Sequence, residues 1–304
     1  MKNMTKKFLL VSAGLTVAVC AQAQQRVVAP AGQAYTIQSV APANGASVTY
    51  QWSRDGVVIA GETGESYTIP ANLAKMANGL DANKTFGSVF QRVARSADCM
   101  GGVAMSNEVT VYFCELIVSG VCWAKANLDQ YNRISSNPWD LGAFYQWNRP
   151  TVPWANTGAI SGWNSTPDNS ATWTNGIPCP DGWRLPTKLD LRNLINTSSP
   201  VGGTWIDNQA RGIPVGVQGK LFGYNTALCT MADMSGCIFL PAAGNRAASN
   251  GALASANTNG YYMGGEQGSI LLAAFLTFSN STSSSSVGEK AAGFIVRCVQ
   301  DVVQ

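Results

Sequence analysis

Seven cysteines follow an export-type N-terminus, and their spacing limits the fold more than any other feature of the chain. Lys2, Lys6 and Lys7 give a basic start, Phe8 to Val19 an apolar run, and Ala21-Gln22-Ala23 a small-residue cleavage signal. The run is too short to span a bilayer as a helix. Val19 stands where a lipobox needs Gly or Ala, so Cys20 is expected to leave with residues 1–23. Beyond it lie Cys99, Cys114, Cys122, Cys179, Cys229, Cys237 and Cys298, none in a Cys-x-x-Cys motif. In an oxidising compartment most should pair, and an odd number leaves one over. Cys114–Cys122 and Cys229–Cys237 have hairpin-like spacing, so Cys179–Cys298 is the expected long-range bridge and Cys99 the odd thiol.

The long bridge starts in an informative stretch, Ile177-Pro178-Cys179-Pro180-Asp181-Gly182-Trp183-Arg184-Leu185-Pro186-Thr187. Pro-Asp-Gly is turn chemistry. Trp183 and Leu185 alternate with polar neighbours, as in a short half-buried strand. Thr187 can cap a helix with Asp190 as its capping-box partner, and Leu191, Leu194 and Ile195 form the apolar stripe of that helix.

Composition excludes several functions. Histidine is absent, which removes Ser-His-Asp and Cys-His catalysis and any His-containing zinc site. Removing residues 1–23 takes away three lysines and no acid, leaving 17 basic and 17 acidic residues. That balance offers nucleic acid or anionic lipid no basic surplus, so no nucleic-acid partner is expected. No transmembrane span is expected after leader removal, and neither a cofactor nor a metal is called for.

Residues 24–113 read as a small β-sandwich. Ala34-Tyr35-Thr36-Ile37 is strand-like, Val48-Thr49-Tyr50-Gln51-Trp52 alternates, and Arg54-Asp55-Gly56 signals a hairpin returning through Val57-Val58-Ile59. Ser66-Tyr67-Thr68-Ile69-Pro70, Phe90 to Ala94 and Val109 to Phe113 supply further strands. The run from Tyr50 to Pro70 resembles the immunoglobulin-like modules of bacterial surface proteins, and it lacks the Cys-Trp-Cys frame of antibody-type domains. Such a module is expected to space or present another domain.

From Cys114 the composition changes. Eight of the nine tryptophans lie between Trp123 and Trp205, among turn residues. Several blocks here resemble the FISUMP family, the Fibrobacter succinogenes major paralogous domain. They are Val121-Cys122-Trp123-Ala124-Lys125-Ala126-Asn127-Leu128, Phe144-Tyr145-Gln146-Trp147 and Cys179-Pro180-Asp181-Gly182-Trp183-Arg184-Leu185-Pro186-Thr187. Leu240-Pro241-Ala242-Ala243-Gly244-Asn245-Arg246 and Gly293-Phe294-Ile295-Val296-Arg297-Cys298-Val299 complete the series, in order, over about 190 residues. The family's glutamate before Asn-Leu is Ala126 here, and its Trp-Trp-Ser-Ser-Thr block stands as Tyr261-Tyr262-Met263-Gly264-Gly265. The resemblance implies an α+β, loop-rich domain over 114–304, related to C-type lectins and to formylglycine-generating enzymes.

Trp123, Trp147 and Trp183, inside these blocks, are expected in the core. Arg184 and Arg297 are expected in buried or rim salt bridges. Ligand-binding candidates are Trp154, Trp163 and Trp173, in a segment rich in Pro, Asn, Gly, Ser and Thr, and the run Asn257, Asn259, Tyr261, Tyr262, Glu266 and Gln267. Aromatic faces stack on sugar rings or apolar side chains while amides fix orientation. The tract Ser279 to Ser286 reads as a solvated hairpin loop. Paired carboxylates remain possible, for instance Asp168 with Asp181 or Asp207, but nothing in the sequence sets a glycosidase-like separation. Acids are too few from Gly223 to Cys298 for a lectin-type calcium site; calcium elsewhere stays open.

The chain is therefore expected to be an exported, non-enzymatic, adhesin-like surface protein recognising a glycan or protein. The alternatives are a structural subunit of a fimbria or other surface assembly, contacting its neighbours, and an enzyme of the formylglycine-generating-like fold. Because the sequence ends at Gln304 just after the last block, the protein is expected to be periplasmic, released or held at the surface by partners. Export predicts a mature chain beginning at Gln24, which mass spectrometry of secreted material checks; a chain retaining Lys2 to Ala23 would contradict it.

Overall fold

The computed structural model describes residues 25–30, 33–38, 48–71, 88–95, 103–105, 108–114, 116–180, 182–207, 210–234 and 236–300. The leader, Cys99 and Asp181 lie outside the described residues. The protein is mostly β-strand, with one α-helix among the described residues and three disulfides. The α+β expectation for 114–304 thus reduces to strands of two to nine residues around, among the described residues, a single α-helix of nine residues.

Two β layers enclose the first core. One sheet runs Gln25–Pro30, Val109–Cys114, Ser88–Arg95, Thr49–Arg54, Val57–Val58, with Val103–Met105 also pairing Ser88–Arg95. Tyr35–Ile37 and Tyr67–Ile69 form a separate antiparallel pair. Alternation explains what each layer buries: Ser88–Arg95 shows a period-2 pattern of burial. Trp52, Phe90, Val109 and Val111 from the sheet meet Ile37, Tyr67 and Ile69 from the pair. Asp55 and Gly56 both adopt positive φ, 51° and 79°, at the hairpin that Asp-Gly signalled.

The other three core clusters draw only on residues from Cys114 onward. Their centre is a five-stranded sheet in the order Phe144–Tyr145, Phe294–Ile295, Asn259–Gln267, Leu272–Ser279, Ser283–Glu289. The helix Lys188–Asn196 forms where its sequence asks for it. Thr187 Oγ1 accepts from the Asp190 N–H at 3.0 Å, and Asp190 Oδ2 accepts from the Thr187 N–H at 2.8 Å. Leu191, Leu194 and Ile195 enter the cluster that holds Tyr262, Leu276 and Phe278. Trp123, Trp147 and Trp183 are all buried.

The tract Ser283–Ser286 is not a loop. Ser283–Glu289 pairs residue by residue with Leu272–Ser279, and only the turn between them is loop. An apolar neighbour strand supplies the packing that the serines lack, so pairing overrides local composition.

The disulfides join Cys114 to Cys122, Cys179 to Cys298 and Cys229 to Cys237, the pairs expected from spacing. Cys114 ends the first sheet, so its bridge staples that sheet to the start of the second body. Cys179–Cys298 lies beside the pairing of Trp183–Arg184 with Val299–Gln300 and spans 119 residues of sequence. Loop-closure entropy assigns a bridge of that length about 4–5 kcal/mol and an eight-residue one about 2.5 kcal/mol. Replacing Cys179 and Cys298 together by Ser is expected to lower the denaturation midpoint more than replacing Cys114 and Cys122; equal losses would contradict this ranking.

Candidate functional site

The Trp154 to Trp173 candidates lie in residues 149–178, a stretch with no helix or extended strand, and the core dictates its path. Gln146, Trp147 and Asn148 follow the strand Phe144–Tyr145 and are at most 1% exposed. Gln146 Nε2 donates to Asn164 O at 2.7 Å and to Ala291 O at 2.7 Å. Trp147 Nε1 donates to Ser170 O at 3.1 Å, and the buried Lys290 ammonium donates to the same carbonyl at 2.8 Å while lying 5.0 Å from the Trp147 ring centre.

Asn148 does most. Its amide donates to Asp168 Oδ2, Ser170 Oγ and Thr174 Oγ1, and its Oδ1 accepts from the N–H groups of Thr174 and Asn175. Arg149 adds bonds to Asn164 O and Thr166 O.

The first half of the loop hangs on Arg246. This guanidinium is 0% exposed and donates to the carbonyls of Ala155, Thr157, Gly158 and Gly251 at 2.7–3.2 Å. Five bonds account for its five N–H donors, so none is left for a ligand. Burial lowers its pKa.

Arg246 floors a pocket of about 370 Å³ lined also by Gly158, Ala159, Ile160 and the run Asn250 to Leu253. Trp163 stands at its edge. A Cβ at Gly251 or Gly293 would meet its ring at 2.6 or 2.9 Å, and its Nε1 donates to Ala248 O at 2.9 Å. Trp154 packs on Trp163 with ring centres 5.2 Å apart, and Trp173 on Trp147 at 5.3 Å. The indole nitrogens of Trp154 and Trp173 are buried without a partner, so these half-buried residues can present ring carbon but no donor.

The second candidate run does not form one site. Tyr262 is 1% exposed and donates its hydroxyl to Pro241 O at 2.8 Å; it is a core residue, and its candidacy as a ligand contact is withdrawn. Tyr261 faces the opposite core and stacks on Phe294. Glu266 Oε2 accepts from the Lys188 N–H at 2.7 Å, an anion serving the helix N-terminus. Asn257 lies just before the strand Asn259–Gln267 and Asn259 opens it, while exposed Glu266 and Gln267 end it, about 23 Å away at roughly 3.3 Å per residue.

Arg184 makes the expected ion pair, with Asp190 at 2.8 Å. Arg297 does not. It is 1% exposed and its partners are Asn127 Oδ1 and the carbonyls of Ala124, Pro138 and Phe239. Burial lowers it to about 10, which leaves it charged at neutral pH.

Asp168 is engaged by Asn148 and by the Ser170 N–H. Burial pushes its pKa up, but hydrogen bonds from Ser170 and Asn148 and the charge of Arg149 outweigh this and leave it below the ordinary range. Such a carboxylate is a poor proton donor. No group of three potential metal ligands occurs among the described residues.

The pocket wall Asn250 to Leu253 and its partner Ile160 were not among the sequence candidates. The Asn250-Gly251 dipeptide marks a turn, but nothing local says that this turn meets a loop some 90 residues earlier. Arg246→Ala would leave the carbonyls of Ala155, Thr157, Gly158 and Gly251 without their donor, at a cost of about 3 kcal/mol or more. Amide exchange at 155–166 is expected to accelerate more than exchange in the strand Asn259–Gln267; unchanged protection of the loop would contradict that role. Comparisons with protein-family models and with curated protein sequences return no match.

Proposed function

We propose that this chain is an exported, adhesin-like surface protein that binds a glycan or protein ligand without transforming it. In this reading residues 24–113 are an immunoglobulin-like spacer, and residues 114–304 are a FISUMP-type, C-type-lectin-like domain that carries the binding face. That face is the loop 149–178 together with the turn at 250–253.

One observation carries the reading: a loop holding Trp154, Trp163 and Trp173, with almost no regular structure, is tied to the core by buried side chains and borders a pocket of about 370 Å³. Rigid presentation lowers the ordering cost of association, and the volume falls within the range of small-ligand sites. The lining contributes aliphatic surface from Ala159, Ile160, Ala252 and Leu253, one amide from Asn250 and no carboxylate, which favours a neutral or methyl-bearing group over a cation.

The test is a glycan and surface-protein array probed with the mature chain. A ligand bound by the native protein is expected to be lost from Ala159→Trp, which fills the pocket from an exposed position, and kept by Ala171→Trp, at an exposed position of the same loop away from the pocket lining. Absence of any ligand would count against the binding reading as a whole. Equal binding by both variants would move the site elsewhere.

A further inference from the structure

The strand Ser283–Glu289 ends the five-stranded sheet and, among the described residues, has a neighbouring strand on one side only. Its register with Leu272–Ser279 is uninterrupted over all seven residues. Two bonds at the ends fix which groups face that neighbour: Ser279 N–H donates to Thr282 O, and Lys290 N–H donates to Leu271 O, both at 2.9 Å. Antiparallel pairs alternate, so Ser284, Ser286 and Gly288 bond inward, and the backbone groups of Ser283, Ser285 and Val287 point away from the sheet. Among the described residues, no strand or loop backbone pairs with these three outward positions. At the far end Glu289 O accepts from the Ala292 N–H, which closes the edge beyond Val287.

An open edge of this length is normally guarded by Lys, Pro, a bulge or an inward charge. The strand itself carries no Lys, Pro, bulge or inward charge. The helix Lys188–Asn196 packs against it and Ser283 Oγ donates to Gly202 O at 2.7 Å, while the outward backbone groups of Ser283, Ser285 and Val287 stay unpaired among the described residues. The sequence is Ser-Ser-Ser-Ser-Val-Gly-Glu, with its single charge at the last position and Val287 37% exposed. The strand is also self-complementary. Two copies run antiparallel about Ser286 would set Ser285 against Val287 of the second copy, Ser284 against Gly288 and Ser283 against Glu289. The outward groups of Ser285 and Val287 would then exchange bonds in both directions, and no like charges would meet.

We propose that the Ser283–Glu289 edge pairs with the same edge of a second copy, joining two five-stranded sheets across a two-fold axis. The contact is isologous, so it closes at a dimer. Its occupant is a second copy, not a foreign peptide, because pairing the strand with itself sets its one charge, Glu289, against Ser283 of the other copy and never against its own equivalent.

Sedimentation velocity of the mature chain over a range of concentrations tests this. The native protein is expected to show a reversible monomer–dimer equilibrium. Val287→Lys places a charge beside its own copy across the axis, and Ser285→Pro removes an outward N–H without touching the bonds to Leu272–Ser279. Each is expected to weaken the dimer by roughly tenfold or more, with circular dichroism and melting temperature close to native. Should Ser285→Pro disturb folding, Val287→Lys carries the comparison alone. A native protein that stays monomeric at every concentration, or a folded Val287→Lys variant that dimerises as well as native, overturns the proposal.

Discussion

The second body of this protein depends on cations buried among carbonyl oxygens. Lys220, Arg246, Lys290 and Arg297 are each at most 3% exposed, and their partners are carbonyl, amide or hydroxyl oxygens. A buried charge is costly unless its donors are filled, and a fold dominated by loops has many backbone acceptors that need donors. The two needs meet. Arg297 gathers residues 124, 127, 138 and 239 at one point, Arg246 gathers 155–158 and 251, and Lys220 holds the turn at 279–283. With hydrogen bonds of this kind, irregular backbone becomes as determinate as a strand.

This scheme also separates bracing from recognition. Arg246 sits under the pocket, yet all of its donors are engaged, so its effect on a ligand would come through the position of the loop and not through contact. The same holds for Asn148, whose amide is saturated by the segment it supports. What remains for a partner is ring carbon, aliphatic surface and the Asn250 side chain.

Features with local causes were legible in the sequence. Thr187, Asp190, Leu191, Leu194 and Ile195 specify their helix through contacts a few residues apart, and the Asp55-Gly56 turn needs only its own φ values. The three bridges followed from spacing. Features with distant causes were not legible. Tyr261 and Tyr262 look alike in sequence, but they sit on a strand with neighbours on both sides, so each faces a different core. A serine tract reads as loop until an apolar strand pairs with it. The positive charge of Arg297 suggested a carboxylate, because nothing in a sequence reveals a convergence of carbonyls. The pocket belongs to this class too, as its two walls come from segments that only the folded core brings together.

The parallel pairing of Gln25–Pro30 with Val109–Cys114 bears on how the first body would carry load. These two strands are the first and last of that body, and they run in the same direction side by side. Tension applied at Gln25 and at Cys114 therefore slides one strand along the other, and the hydrogen bonds between them are strained together instead of parting one at a time. A hairpin pulled at its two ends would unzip; this arrangement resists in shear. Just past the point where the load leaves, Cys114–Cys122 passes it on through a covalent bond. Under such a load the body would resist through all six paired positions at once, a mechanical property that neither strand has alone.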